Sequence, residues 1–131
     1  MAYEISNYSV KVTLVAGADL SAAQYKFVKL NSSGQAVVCS SATDIPIGVL
    51  QNDPASGAEA EVLVIGGTKI IAGAAIAEGA QVGTSTAGKA VALTAGTDTT
   101  KYVAGALLTE SGADGEIVTA VINCANPHRA A

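Results

Sequence analysis

Ile47–Ile65 reads IGVLQNDPASGAEAEVLVI, and a recognisable version of it returns near the C-terminal end as Ala104–Ile122, AGALLTESGADGEIVTAVI. In each copy a small-residue strand runs into an acidic turn, then into Gly-Ala-acid-small-Glu and a β-branched apolar strand. Residues of this kind suit a pleated, half-buried surface. Neither copy resembles a catalytic centre.

The echo extends upstream. Ala16-Gly17-Ala18 with Leu20 and Ala23 recurs as Ala72-Gly73-Ala74 with Ile76 and Gly79 at an offset of 56. Gly34-Gln35-Ala36-Val37-Val38 recurs as Gly88-Lys89-Ala90-Val91-Ala92 at 54, and Gly57-Ala58-Glu59-Ala60-Glu61 as Gly112-Ala113-Asp114-Gly115-Glu116 at 55. Matches in one order at nearly one offset imply an internal duplication, about 10–65 and 68–122. On this alignment the turn between Gly105 and Gly112 is two residues shorter than that between Gly48 and Gly57. Each copy holds too few short strands to bury a face alone, so the two are expected to close on each other.

Local signals define the strands. Val10, Val12 and Leu14 alternate with polar residues, the period of a strand with one buried face. Tyr25–Leu30 resumes β-prone residues, and Asn31-Ser32-Ser33-Gly34 signals a hairpin leading into Gln35–Cys39. Pro46 can open a strand over Ile47–Gln51, and Glu61–Gly66 is the next strand. The best helix candidate, Leu20–Tyr25, is too short to matter. The expected architecture is all-β: a compact β-barrel, β-tulip or sandwich built from two similar halves, with little or no helix. Residues 1–8 read as an N-terminal arm, 9–123 as a single β domain and 124–131 as a C-terminal tail.

Composition narrows function. Charged residues make up 14% of 131 residues, against an average of roughly a quarter. The net charge is −4, and the six lysines and Arg129 are scattered singly, so no cluster is available to neutralise phosphates and nucleic acid is not an expected partner. No stretch approaches the roughly 18 apolar residues of a membrane span, and Met1–Val12 lacks the charge and apolar run of a secretion signal. Cytoplasmic synthesis is the expectation. Cys39 and Cys124 show no metal spacing and are too few for a disulfide framework; they are expected as buried reduced thiols, a bridge between them being the alternative.

Three features imitate chemistry. Gly83–Ala90, GTSTAGKA, misses the phosphate-loop pattern only at its last position, where Ala90 replaces the Mg²⁺-binding hydroxyl. Its repeat mate is the Asn31 hairpin, so it too reads as a turn. His128, the single histidine, lies among small residues of the tail and lacks neighbours to retune it. Asp53, Glu59 and Glu61, with Glu110, Asp114 and Glu116, lack the repeated oxygen spacing of a Ca²⁺ loop. No catalytic, cofactor-binding or metal site is expected. A forced catalytic set would be Asp98, Glu110 and His128, but no spacing connects them.

Ala-Gly-Ala-x-Leu-x-x-Ala at 16–23, Ile47-Gly48-Val49-Leu50, and Gly-Ala-x-x-Glu-x-Leu-Val at 57–64 resemble the head-decoration, or capsid cement, proteins of tailed bacteriophages. The resemblance spans most of the chain. It implies a β-barrel or β-tulip virion protein, often trimeric, that sits on the outside of an expanded shell and clamps neighbouring major capsid protein subunits. The residues 1–8 would then be a capsid-binding arm with Tyr3, Ile5 and Tyr8 as apolar anchors, suited to strand addition. The alternatives are another virion β-module (tail tube, fibre or spike) and, with four Tyr, one Phe and no Trp, a carbohydrate- or ligand-binding barrel.

Overall fold

The computed structural model describes residues 9–131, and among these the chain forms eleven strands and no helix. The first half contains β1 (Val10–Val15), β2 (Phe27–Leu30), β3 (Ala36–Val38) and β4 (Gly48–Leu50). β5 (Glu59–Ile71) crosses into the second half, which continues with β6 (Gln81–Thr84), β7 (Ala90–Ala92), β8 (Tyr102–Val103), β9 (Gly105–Leu107), β10 (Ile117–Asn123) and β11 (His128–Arg129).

Nine strands make one curled antiparallel sheet in the order β3-β2-β4-β5-β10-β9-β6-β7, with β1 also paired to β5. The sheet curls until each half meets its own first strand: Gly17 N–H donates to Ala36 O at 2.8 Å, and Gly73 N–H to Ala90 O at 2.7 Å. Alanines suit these closures, because two backbones approach where Ala16 bridges Ala36 and Ala72 bridges Ala90. All-β architecture is therefore as the sequence implied.

The second half repeats the pairings of the first. Val28 opposes Val38 and Gly48 as Val82 opposes Ala92 and Gly105; Val49 opposes Leu63 as Ala106 opposes Val121. One core cluster holds Ala16, Leu20, Val28, Ala36, Leu50, Ala60 and Val62, and their counterparts Ala72, Ile76, Val82, Ala90, Leu107, Val118 and Ala120 lie in another. At roughly 1.5–3 kcal/mol for each fully buried Val, Leu or Ile, these side chains dominate the stabilisation of each half.

β5 ties the halves together. Backbone groups alternate edges along a strand: Ala58 O, Val64 O and Ala72 N–H, in and beside β5, bond Ala16, Cys124 and Glu116 on one edge. Glu61 O and Ile71 N–H bond Gln51 and Tyr25 on the other. β1 and β10 therefore share an edge, and Ile65 is the register partner of both Val10 and Asn123, so β1 starts where β10 ends.

Two sequence expectations need correction. The strand expected over Glu61–Gly66 is 13 residues long, because Gly66, at φ 137°, carries the chain onward instead of ending it. The turn alignment also shifts. Gly57 N–H donates to Ala16 O and Gly115 N–H to Ala72 O, each glycine having a positive φ, so Gly57 corresponds to Gly115 and not to Gly112. The turn after Gly105 is thereby one residue longer than that after Gly48, ten positions against nine, not two shorter. Within residues 124–131, β11 pairs with β8, and Ala130 is buried with Leu93 and Val103.

Candidate interaction surfaces

The residues that imitate chemistry are separated or occupied structurally. Gly83–Ala90 forms a hairpin in which Ser85 Oγ accepts the N–H groups of Ala87 and Lys89, both at 3.1 Å, and β7 follows where a phosphate loop would need a helix. Asn31 Oδ1 does the same for Ser33 and Gln35 in the first half, both at 2.9 Å. This is Asx and Ser turn chemistry.

Asp98, Glu110 and His128 are not brought together by any hydrogen bond or ion pair. Asp98 accepts Thr94 N–H at 2.7 Å and lies 3.1 Å from Lys101 Nζ. The Thr94 N–H, aided by Lys101, holds its carboxyl below the usual range. His128 is exposed in β11, opposite Val103. Arg129 beside it stacks over the Tyr102 ring at 5.7 Å.

Three of the six acidic candidates are engaged by basic or backbone partners. Glu61 pairs with Lys11 at 3.2 Å, Asp114 with Lys89 at 2.9 Å, and Glu116 accepts Gly112 N–H at 2.7 Å. Among the described residues, no group of three His, Cys, Asp or Glu is arranged to hold a metal. Asp44 was no candidate in the sequence, yet it organises a loop. It accepts Lys29 Nζ at 2.8 Å and the N–H groups of Ser40 and Ser41 at 2.9 Å. Burial alone would raise its carboxyl, but these donors outweigh burial and keep it below its ordinary range.

Cys39 and Cys124 are both free and buried in the core between the halves. Burial pushes the Cys39 thiol up to about 12 against a weaker opposing bond from Thr84, and burial with the nearby Cys39 does the same for Cys124, also to about 12. Such thiols are poor nucleophiles at neutral pH.

What remains for recognition is exposed apolar surface. Val10 (51% exposed) and Ile65 (36%) sit side by side where the chain enters β1, immediately after the residues 1–8. The candidates Tyr3, Ile5 and Tyr8 fall outside the described residues. Val121 (44%) lies on the outer face of β10, in an open cleft of about 470 Å³ lined by Gln81, Ala106, Asn123, Asn126 and His128 among others. Leu30 and Ile45 border a second cleft with Lys29, Asp44 and Pro127. A single period-2 pattern could not reveal these positions, since exposure of an outer face depends on which half packs against it.

The profile of the phage cement protein family matches residues 6–122. Among solved structures, the N base of the head fibre gp8.5 of bacteriophage phi29 is similar, with a TM-score of 0.65 and 23% identity, over 89% of this chain and 96% of that one. That likeness is one of fold. No curated protein sequence matches. With the family match running from the residues before β1 to Ile122 in β10, the chain belongs to the phage cement protein family.

Proposed function

We propose that this protein sits on the outside of a bacteriophage capsid and stabilises the shell by clamping neighbouring major capsid protein subunits. The observation that carries the reading is family membership across both halves, which supports a capsid-associated structural protein of a phage. Its physics fits a doubled, weakly charged β framework without a reactive cluster among its described residues. Cementing needs shape and many repeated contacts, and weak contacts on a fixed lattice add through effective concentration.

In this reading the domain, residues 9–123, arose by duplication, and the residues 1–8 act as an arm. Tyr3, Ile5 and Tyr8 anchor the arm on the major capsid protein, and the apolar Val10–Ile65 pair at its root continues the contact surface. The working state is a homo-oligomer, a trimer, located on the virion after synthesis in the host cytoplasm. No enzymatic step is part of the role.

The likeness to a head-fibre base favours a second reading, in which the domain is the capsid-bound foot of a projecting structure. Co-sedimentation with heads of the phage that carries the gene tests the first. Wild-type protein is expected to pellet with the heads, and a Tyr3→Ala/Ile5→Ala/Tyr8→Ala variant to bind at least tenfold more weakly. Undiminished binding of that variant would remove the arm from the account, and particle images showing a protrusion on each copy would favour the foot.

A further inference from the structure

The two halves share a framework but do not make the same contacts. Phe27 N–H in the first half donates to Gly88 O at the tip of the β6–β7 hairpin at 2.7 Å, and Tyr25 O accepts from Ile71 N–H at 3.0 Å. By register, Phe27 corresponds to Gln81, Tyr25 to Gly79, Gly88 to Gly34 and Ile71 to Val15. No bond joins Gln81 to Gly34, or Gly79 to Val15. The halves therefore meet head to tail: a receiving face on the first takes an inserting hairpin from the second. One receiving face and one inserting hairpin are left over.

Exposure marks both. In the matched interface Phe27 is 0% exposed, Leu63 2% and Thr84 2%, and Gly88 is buried. Their unmatched counterparts are open: Gln81 and Gly34 are exposed, Val121 is 44% exposed and Leu30 45%. Val15, the counterpart of Ile71, is 47% exposed. Even residues of β1 turn their backbone groups to β5, as Ala16 does next to it, so the N–H of Val15 points to the other edge, which pairs with no strand among the described residues. The unmatched receiving face is the concave one, with Val121 and Ala106 lining the 470 Å³ cleft between Gln81 and His128. The unmatched hairpin carries the exposed Gly34 at its turn, with Leu30 at its base beside the second cleft.

We propose that a second copy of this chain fills the cleft: the Asn31–Gln35 hairpin of one copy, with Leu30 and Val15, docks on the Gln81–Ala106–Val121 face of the next. The inside of the molecule already holds this contact once, so a partner copy continues an existing interface. The contact is heterologous, since different surfaces meet, and it closes into a ring when the rotation per copy divides a full turn. The inference deepens the self-association part of the proposed function and is tested in solution without heads, so its failure leaves capsid binding to be judged separately.

Ser33→Cys and Gln81→Cys variants, mixed and mildly oxidised, are expected to give a disulfide-linked dimer, while each variant alone gives none. The native thiols do not compete, being buried and held un-ionised. Light scattering gives the second readout. Leu30→Asp and Val121→Asp are expected to drop the particle to the 12.9 kDa of one chain, while Ile117→Asp, 58% exposed on the same side of β10 as Val121 but outside the cleft lining, keeps the assembled mass. A wild-type chain that stays monomeric, a mixture without linked dimer, linkage within Ser33→Cys alone, or a Leu30→Asp protein of unchanged mass would each overturn the proposal.

Discussion

Tyr25 and Gly79 occupy the same place in the two halves: each has a positive φ, 66° and 79°, and each donates its N–H at 2.7 Å to the last residue of a neighbouring strand, Leu50 or Leu107. The left-handed region costs a residue with a side chain about 1–2 kcal/mol, which glycine avoids. Tyr25 is the one non-glycine with positive φ among the described residues, and its ring also faces Lys69 Nζ at 5.9 Å. Gly79→Ala is expected to cost about 1 kcal/mol, because the space around its added Cβ is open and backbone strain acts alone. Tyr25→Val should cost about 2 kcal/mol or more, whereas Tyr25→Gly should stay within about 1 kcal/mol of wild type as relief offsets lost packing. Urea unfolding of the three variants checks the order.

Gly48 and Gly105 are constrained by space and not by φ. A Cβ on Gly48 would collide with Leu63 O, and one on Gly105 with Val121 O, both backbone atoms that cannot swing away. Gly48→Ala and Gly105→Ala are each expected to lose about 3 kcal/mol, well beyond Gly79→Ala, by the same unfolding measurement.

Asp44→Asn removes the charge that Lys29 pairs with and weakens the acceptor for Ser40 and Ser41, so a loss of about 1 kcal/mol is expected. The sign with pH follows from the direction of the shift. The folded carboxyl is depressed below its ordinary value of 3.8, so its contribution is present above that value and lost as pH falls through the folded pKa. The wild-type protein should therefore lose its advantage over Asp44→Asn in acid unfolding below about pH 4. An advantage that persisted there would assign the loop to geometry and not to charge.

The thiols set an alkaline limit. Folded Cys39 and Cys124 titrate at about 12 instead of 9.0, so the unfolded chain releases protons first and stability falls as pH rises from 9.0 towards 12. A thiol reagent at pH 8 should label neither cysteine in the native protein and both in urea. Conversion of Cys39 and Cys124 to Ala or Ser would flatten the alkaline fall while creating a cavity or an unsatisfied hydroxyl, so the slope against pH is the quantity to compare.

The sequence carried the features that act locally. The Asn31 and Ser85 hairpins announced themselves because a side-chain acceptor and a positive-φ glycine define a turn on their own. The closures at Ala16 and Ala72 were visible as Ala-Gly repeats. Features set by distant partners were not legible: β11 exists through two residues paired with Tyr102 and Val103, and β5 runs through Gly66-Gly67, which reads as a break. The four acidic and small residues that follow Gly57 match those after Gly112, whereas the bond to Ala72 selects Gly115. The cleft beside Val121 was hidden for the same reason. Its counterpart Leu63 is apolar and buried only because the halves meet head to tail.

Capsid cementing is tested most directly by the disruption temperature of phage heads with and without bound protein. Heads prepared without the protein and then saturated with it are expected to disrupt several degrees higher, with the gain growing with occupancy. Heads that bind the protein to saturation yet disrupt at an unchanged temperature would contradict the account.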